Sequence, residues 1–137
     1  MAGKLVKYCI SFSEEKSLIN ICQQDSYSFK EIELLINEIY RDPRYKPTYN
    51  FLIDIRKIRH TPIVQEMYEL AELISLRGKS FKGNTAIVTE NEVHHYLVKL
   101  AMMMVLSKTG IKNRVFQHPE QALNWLNECS VKKKAND

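Results

Sequence analysis

The chain has 137 residues, 45% of them hydrophobic and 26% charged, and a formal net charge of +4. That length and balance suit one globular domain with its own core, and only 4 glycines and 4 prolines argue against a disordered or low-complexity chain. A nucleic-acid surface would carry denser basic charge interleaved with aromatics; here part of the excess lies in Lys132, Lys133 and Lys134, so nucleic acid is not an expected partner.

Leu5 to Phe12 alternates, with Val6, Tyr8, Ile10 and Phe12 on one side and Lys7, Cys9 and Ser11 on the other, which predicts a half-buried strand. Polar residues Ser13 to Lys16 make a turn, and a second strand runs from about Ser17 to Gln23. Strands joined so closely are antiparallel neighbours, because a parallel pair needs a crossover of about a dozen residues or more. Ser28 and Glu31 form a capping box, with Tyr27 and Ile32 as the staple around it. The helix that follows carries Phe29, Ile32, Leu35, Ile36 and Ile39 at helical spacing and ends near Arg41, ahead of Pro43 and Pro47. Asp42 to Thr48 is a connecting loop.

Tyr49 to Ile55 is a strand too apolar to have one face in water, around a single acid, Asp54. It leads into a basic cluster, Arg56, Lys57, Arg59 and His60, and then to Thr61 and Pro62, an N-cap and a first helical position. Ile63, Met67, Leu70, Ala71 and Ile74 give that helix its buried stripe, with Gly78 near its end. A short strand is centred on Ala86, Ile87 and Val88. Thr89 and Glu92 form another capping box, stapled by Val88 and Val93, for a helix that runs to about Lys108 and is closed by Gly110. Ile111 to Phe116 is the last strand. Pro119 opens a final helix with Ala122, Leu123, Leu126 and Cys129 inward, and residues 131–137 are expected to be a flexible basic tail. The order predicts one α/β domain over residues 1–130, with a mixed, mostly parallel sheet of about five strands and about four helices.

Cys9, Cys22 and Cys129 are odd in number and far apart, which fits small buried hydrophobes in a reducing compartment. Met1 to Leu5 lacks the apolar centre of a signal peptide, and Val98 to Leu106 is too short for a membrane span of ~20 residues. The expected location is cytoplasmic.

Two stretches, Leu52-Ile53-Asp54 and Arg114 to Leu126 with its Glu120, Ala122-Leu123 and terminal apolar residues, resemble the STAS domains of anti-sigma-factor antagonists, especially the divergent bacterial SpoIIAA-like branch. By element order the resemblance spans roughly Leu5 to Leu126. It implies a regulatory module that docks another protein. Members of the regulated type lead from this strand into an Asp-Ser-Ser-Gly-like turn whose serine accepts phosphate at the helix start. Here the region reads Arg59-His60-Thr61-Pro62, so the usual acceptor is missing and Thr61 is the one hydroxyl nearby. A phosphate on Thr61 would meet the positive end of a helix dipole and Arg59; as a plain N-cap, Thr61 needs no modification.

Asp54 is either a ligand-binding acid at the carboxyl end of the sheet or an acid anchored by loop amides or Arg56. Arg56, Lys57, Arg59 and His60, with the free N–H groups of the helix that starts at Thr61, could bind an anion or an acidic partner, or form a solvated edge. The adjacent His94 and His95 point about 100° apart on a helix and do not share a metal, and the cysteines show no paired-ligand spacing, so neither metal nor cofactor is expected. The helix after Thr89 places Val93, Leu97, Leu100, Ala101 and Met104 on one face, yet Tyr96, Val98, Met102, Met103, Val105 and Leu106 carry apolar character most of the way round. Such a helix is buried on several sides, or it presents Tyr96 with Met102 or Met103 to a second subunit, a partner or an apolar ligand. Three functions compete. One is a non-enzymatic interaction module with a protein partner or a second copy of itself. Another is a carrier or sensor of a small apolar or anionic ligand. The third, an enzyme, is disfavoured for want of a nucleophile–base pair, paired acids or a glycine-rich phosphate loop.

Overall fold

The computed structural model describes residues 8–23, 29–58, 65, 68–69, 72–73, 76, 81–90 and 92–136. Within them, β1 (Tyr8–Ser13) and β2 (Leu18–Gln23) form an antiparallel hairpin. β3 (Asn50–Asp54), β4 (Thr85–Val88) and β5 (Asn113–Phe116) then add in parallel, so the five strands lie across the sheet in chain order. The helices are α1 (Phe29–Arg41), α2 (Glu92–Thr109) and α3 (Pro119–Asn136). Gln65, Tyr68, Glu69, Glu72, Leu73 and Leu76 are helical as well, and Gln65 Nε2 donates to Glu69 Oε1, one turn on, at 3.2 Å. These residues belong to the helix expected beyond Pro62. Its start, and the box at Ser28, lie outside the described residues. The architecture is the mixed, mostly parallel α/β sheet that the element order predicts.

The hairpin closes through a four-residue turn, Glu14 to Ser17. Ser17 takes φ 51° and donates its N–H to the Glu14 carbonyl at 3.2 Å. Its own carbonyl accepts the Asn50 N–H at 2.9 Å, which ties the turn to β3. The period of two then sorts side chains onto two faces. On the first face, Ile19 and Ile21 meet Leu35 and Ile39 of α1, and Ile87 meets Val98, Met102 and Val105 of α2. Ile19 is fully buried, which contributes roughly 1.5–3 kcal/mol relative to an exposed side chain. On the second face, Leu18, Leu52, Ala86, Val88 and Phe116 lie under Ala122 and Leu126 of α3, with the Phe116 and Trp125 rings 5.9 Å apart.

This division has a topological cause. Right-handed crossovers between parallel strands added in one direction place their helices on one face. α3 follows the last strand and is free to cover the other. It rests on β3, β4 and β5, and leaves Cys9, Ser11 and Asn20 of the hairpin exposed.

Two helix ends are informative. Gly110 has φ 74° and donates its N–H to the Leu106 carbonyl at 2.8 Å, the left-handed cap expected for α2. α3 runs on to Asn136, through Lys132, Lys133 and Lys134, well past Val131 where the sequence reading began a tail. Nothing in that stretch, free of glycine and proline until the end, terminates a helix. Gly83 is buried against β3, where an added Cβ would lie 2.0 Å from the Tyr49 carbonyl oxygen. Beside it, Asn50 Oδ1 accepts the Asn84 N–H at 2.9 Å and holds the starts of β3 and β4 in register.

Candidate functional site

The sequence Asp54-Ile55-Arg56-Lys57-Ile58 builds a tight turn at the carboxyl end of β3. Ile55 and Ile58 are buried with Ile87 and the inner face of α2, and the Ile58 N–H meets the Ile55 carbonyl at 3.1 Å. Arg56 and Lys57 therefore point outward. Asp54 Oδ1 accepts the Arg56 backbone N–H at 3.0 Å, and the Arg56 guanidinium clamps the carboxylate through Nε at 3.0 Å and Nη2 at 2.7 Å. Burial pushes the Asp54 carboxyl up, but the Arg56 side-chain and backbone bonds, with the charges of Arg56 and Lys57, together hold it below its ordinary value. Asp54 is thus an anchored acid, and most of the Arg56 charge is directed at it. Arg59, His60 and Thr61 lie outside the described residues.

At the end of β4, Thr89 is wholly buried. Its Oγ1 lies 3.1 Å from His95 Nδ1 and 3.4 Å from the Phe116 carbonyl oxygen, so the hydroxyl joins α2 to the ends of β4 and β5 instead of serving a box with Glu92. Asn113 continues this join, donating from Nδ2 to the Met102 carbonyl at 3.0 Å. A hydroxyl beside an imidazole could suggest a nucleophile and its base, but Thr89 has no exposed surface for a substrate to reach.

The phase of α2 differs from the sequence reading. Val98, Ala101, Met102 and Val105 are buried, whereas Val93 and Leu100, expected inward, face solvent. Val93 is 69% exposed, Tyr96 62% and Met103 60%, and Leu100 and Leu106 are exposed beside them. Of Met102 and Met103, the two offered for a docking surface, Met102 at 7% exposed belongs to the core and only Met103 faces out, because the two sit one helical step, about 100°, apart. The outward residues Val93, Tyr96, Leu100 and Met103 recur at intervals of three, four and three, a continuous apolar seam. Val93 and Leu100 are the members that sequence reasoning missed. With apolar residues nearly all round the helix, hydrophobic periodicity has too little contrast to set its rotation. The end of α2 is tied down by Lys108, whose Nζ bonds to Glu72 Oε1.

The cysteines also require correction. Cys9 is exposed and Cys22 and Cys129 are half-buried, so none is the fully buried small hydrophobe expected. The reason is the open half of the second sheet face, onto which β1 alternation directs Cys9. Among the described residues, no group of three His, Cys, Asp or Glu side chains could hold a metal ion, and no helix is long and apolar enough to cross a membrane.

No protein-family model matches the chain, and no curated protein matches it. Among solved structures, the chain is similar to an uncharacterised protein of the DUF3478 family with a SpoIIAA-like fold from Shewanella loihica PV-4. The two share 18% identity at a TM-score of 0.58, over 92% of this chain and 98% of that one. The chain therefore adopts a SpoIIAA-like fold, a divergent form of the STAS architecture.

Proposed function

We propose that this protein is a non-enzymatic interaction module that docks through the outward seam of α2, and that the surface it meets is the same seam on a second copy. The observation that carries this reading is the exposure of Val93, Tyr96, Leu100 and Met103 along one line of a helix whose other side, Val98, Ala101, Met102 and Val105, is buried. Single exposed apolar residues are ordinary; a contiguous row is a binding surface. The intervals three, four, three read the same from either end. In an antiparallel two-fold pairing of the seam, Val93 then faces Met103, and Tyr96 faces Leu100. The SpoIIAA-like fold is compatible with a regulatory or interaction module, and Asp54 is engaged by Arg56 while Thr89 is enclosed.

The size of the seam sets the strength. From Val93 to Met103 the seam is about 15 Å long, and a face about 10 Å wide gives roughly 150 Å² per copy, against ~800 Å² in a standard interface. The association is accordingly weak and reversible. Sedimentation over a wide concentration range should show a monomer–dimer equilibrium, shifted to monomer by Met103→Glu without loss of helical circular dichroism. A wild-type chain that stays monomeric at the highest concentration would refute the self-docking reading.

A further inference from the structure

On the open half of the second sheet face, two of the three cysteines stand opposite each other. Cys9 of β1 is the register partner of Cys22 in β2, and both are present as thiols. Facing residues in an antiparallel pair lie about 5.5 Å apart at Cα when they exchange hydrogen bonds and about 4.5 Å when they do not. Disulfides accept Cα separations of about 4.4–6.8 Å, so both kinds of site fall within reach. Partners in register direct their side chains to the same face, and here Ser11 and Asn20 beside them are exposed, with no helix above among the described residues. The next register position beyond Cys22 is Asp54, which places the pair beside the turn anchored by Arg56.

We propose that Cys9 and Cys22 form a reversible dithiol–disulfide couple, oxidised by a low-molecular-weight disulfide, that staples the edge strand β1 to β2. Cys9 is the exposed member and is reached first. Its thiolate attacks one sulfur of the incoming disulfide, forming a mixed disulfide and releasing one thiol, which takes up the proton that Cys9 lost. Cys22 then gives up its proton to solvent and attacks the Cys9 sulfur. The second small thiolate leaves and is protonated. Two protein thiols become one protein disulfide, and the two electrons pass to the small disulfide, reduced to two thiols. Burial and then the Asp54 carboxylate push the Cys22 thiol up, which suits it to the second, intramolecular step and not to the first encounter. An exposed disulfide between adjacent strands is of the labile kind, so reductant reverses it. The staple closes a loop containing the hairpin turn and ties down a strand that, among the described residues, has a neighbour on one side only.

The test uses the full chain and oxidised glutathione as the probe. Reduced protein is titrated with glutathione disulfide, quenched with N-ethylmaleimide, and followed by intact mass and non-reducing peptide mapping. The expected product is a monomeric Cys9–Cys22 crosslink with Cys129 alkylated, restored to thiols by dithiothreitol. Amide exchange in β1 should slow by about a hundredfold in the oxidised form, since a closed loop of this size restricts opening. Cys9→Ser, on the exposed face, should retain the circular dichroism of the parent and form no intramolecular crosslink. Glutathione held on Cys9 with no crosslink, a bridge between two chains, or oxidation of Cys129 ahead of the pair would each overturn the proposal.

Discussion

Two adjacent methionines on α2 should respond to the same truncation in opposite ways. Met102 is 7% exposed among Ile55, Ile87, Val98 and Val105, and Met102→Ala should cost roughly 2–5 kcal/mol of folding stability through lost transfer energy and a residual cavity. Met103 is 60% exposed, so folding removes only the remaining two-fifths of its surface from water. Of the ~1.5–3 kcal/mol for a fully buried side chain, Met103→Ala should therefore cost roughly 0.6–1.2 kcal/mol in folding. The exposed three-fifths, roughly 0.9–1.8 kcal/mol, is available to association and counts once per copy. A two-fold dimer should then weaken by roughly 1.8–3.6 kcal/mol, or about 20- to 400-fold in Kd. Urea unfolding at low protein concentration measures the first effect and sedimentation the second. Equal destabilisation by the two variants would refute the rotation of α2 and, with it, the seam. An unchanged Kd for Met103→Ala would refute the seam alone.

Three further outcomes follow from local geometry. In Arg56→Ala the side-chain bond and the charge of Arg56 are lost while the backbone N–H at position 56 and Lys57 remain, so the Asp54 carboxyl should titrate higher than in the parent, as read by carboxyl-carbon NMR. The parent loses stability as pH falls through the depressed Asp54 pKa, and the variant, whose Asp54 is less depressed, should lose less over the same window; equal losses in acid would refute this. Gly83→Ala drives a Cβ into the Tyr49 backbone, which cannot yield as a flexible side-chain end would, and should lower stability by more than ~3 kcal/mol in thermal or urea melts. Ser17→Gly relieves a left-handed residue costing ~1–2 kcal/mol, partly offset by ~0.5–1 kcal/mol of added chain entropy, and should raise stability slightly; a loss would show that the Ser17 side chain contributes to the turn.

Much of this fold was legible because local signals and burial agree. The alternation of Tyr8, Ile10 and Phe12 against Cys9 and Ser11 defines a one-sided strand, and the short turn after Ser13 forces its antiparallel neighbour. Gly110 marks its helix end because few other residues accept φ 74° readily. The rotation of α2 was not legible, since Val93 and Val98 are equally apolar and only the sheet decides which is covered. The end of α3 was missed for a different reason: lysines read as a solvated tail are also good helix formers. The facing of Cys9 and Cys22 lay closer to reach. Once the hairpin turn is fixed at four residues, Ser13 opposite Leu18 carries the ladder to Cys9 opposite Cys22. Counting cysteines along the chain, without counting across the ladder, hid it. Asp54 showed its position but not its partner, because a single acid before two basic residues does not say which of them turns back.

The chain-order arrangement of the strands has a consequence for synthesis. Each crossover helix is made between the strands it spans, so the first face of the sheet can be covered as the chain lengthens. The second face waits. Leu18, Leu52, Ala86, Val88 and Phe116 have no roof until α3, which follows every strand, has been translated. A nascent chain thus carries an open apolar sheet for most of its production, and domains that fold during translation risk association through such surfaces. α3 acts as a late closing element, which makes Ala122 and Leu126 the residues whose alteration should trap a sheet that is formed but open on one side.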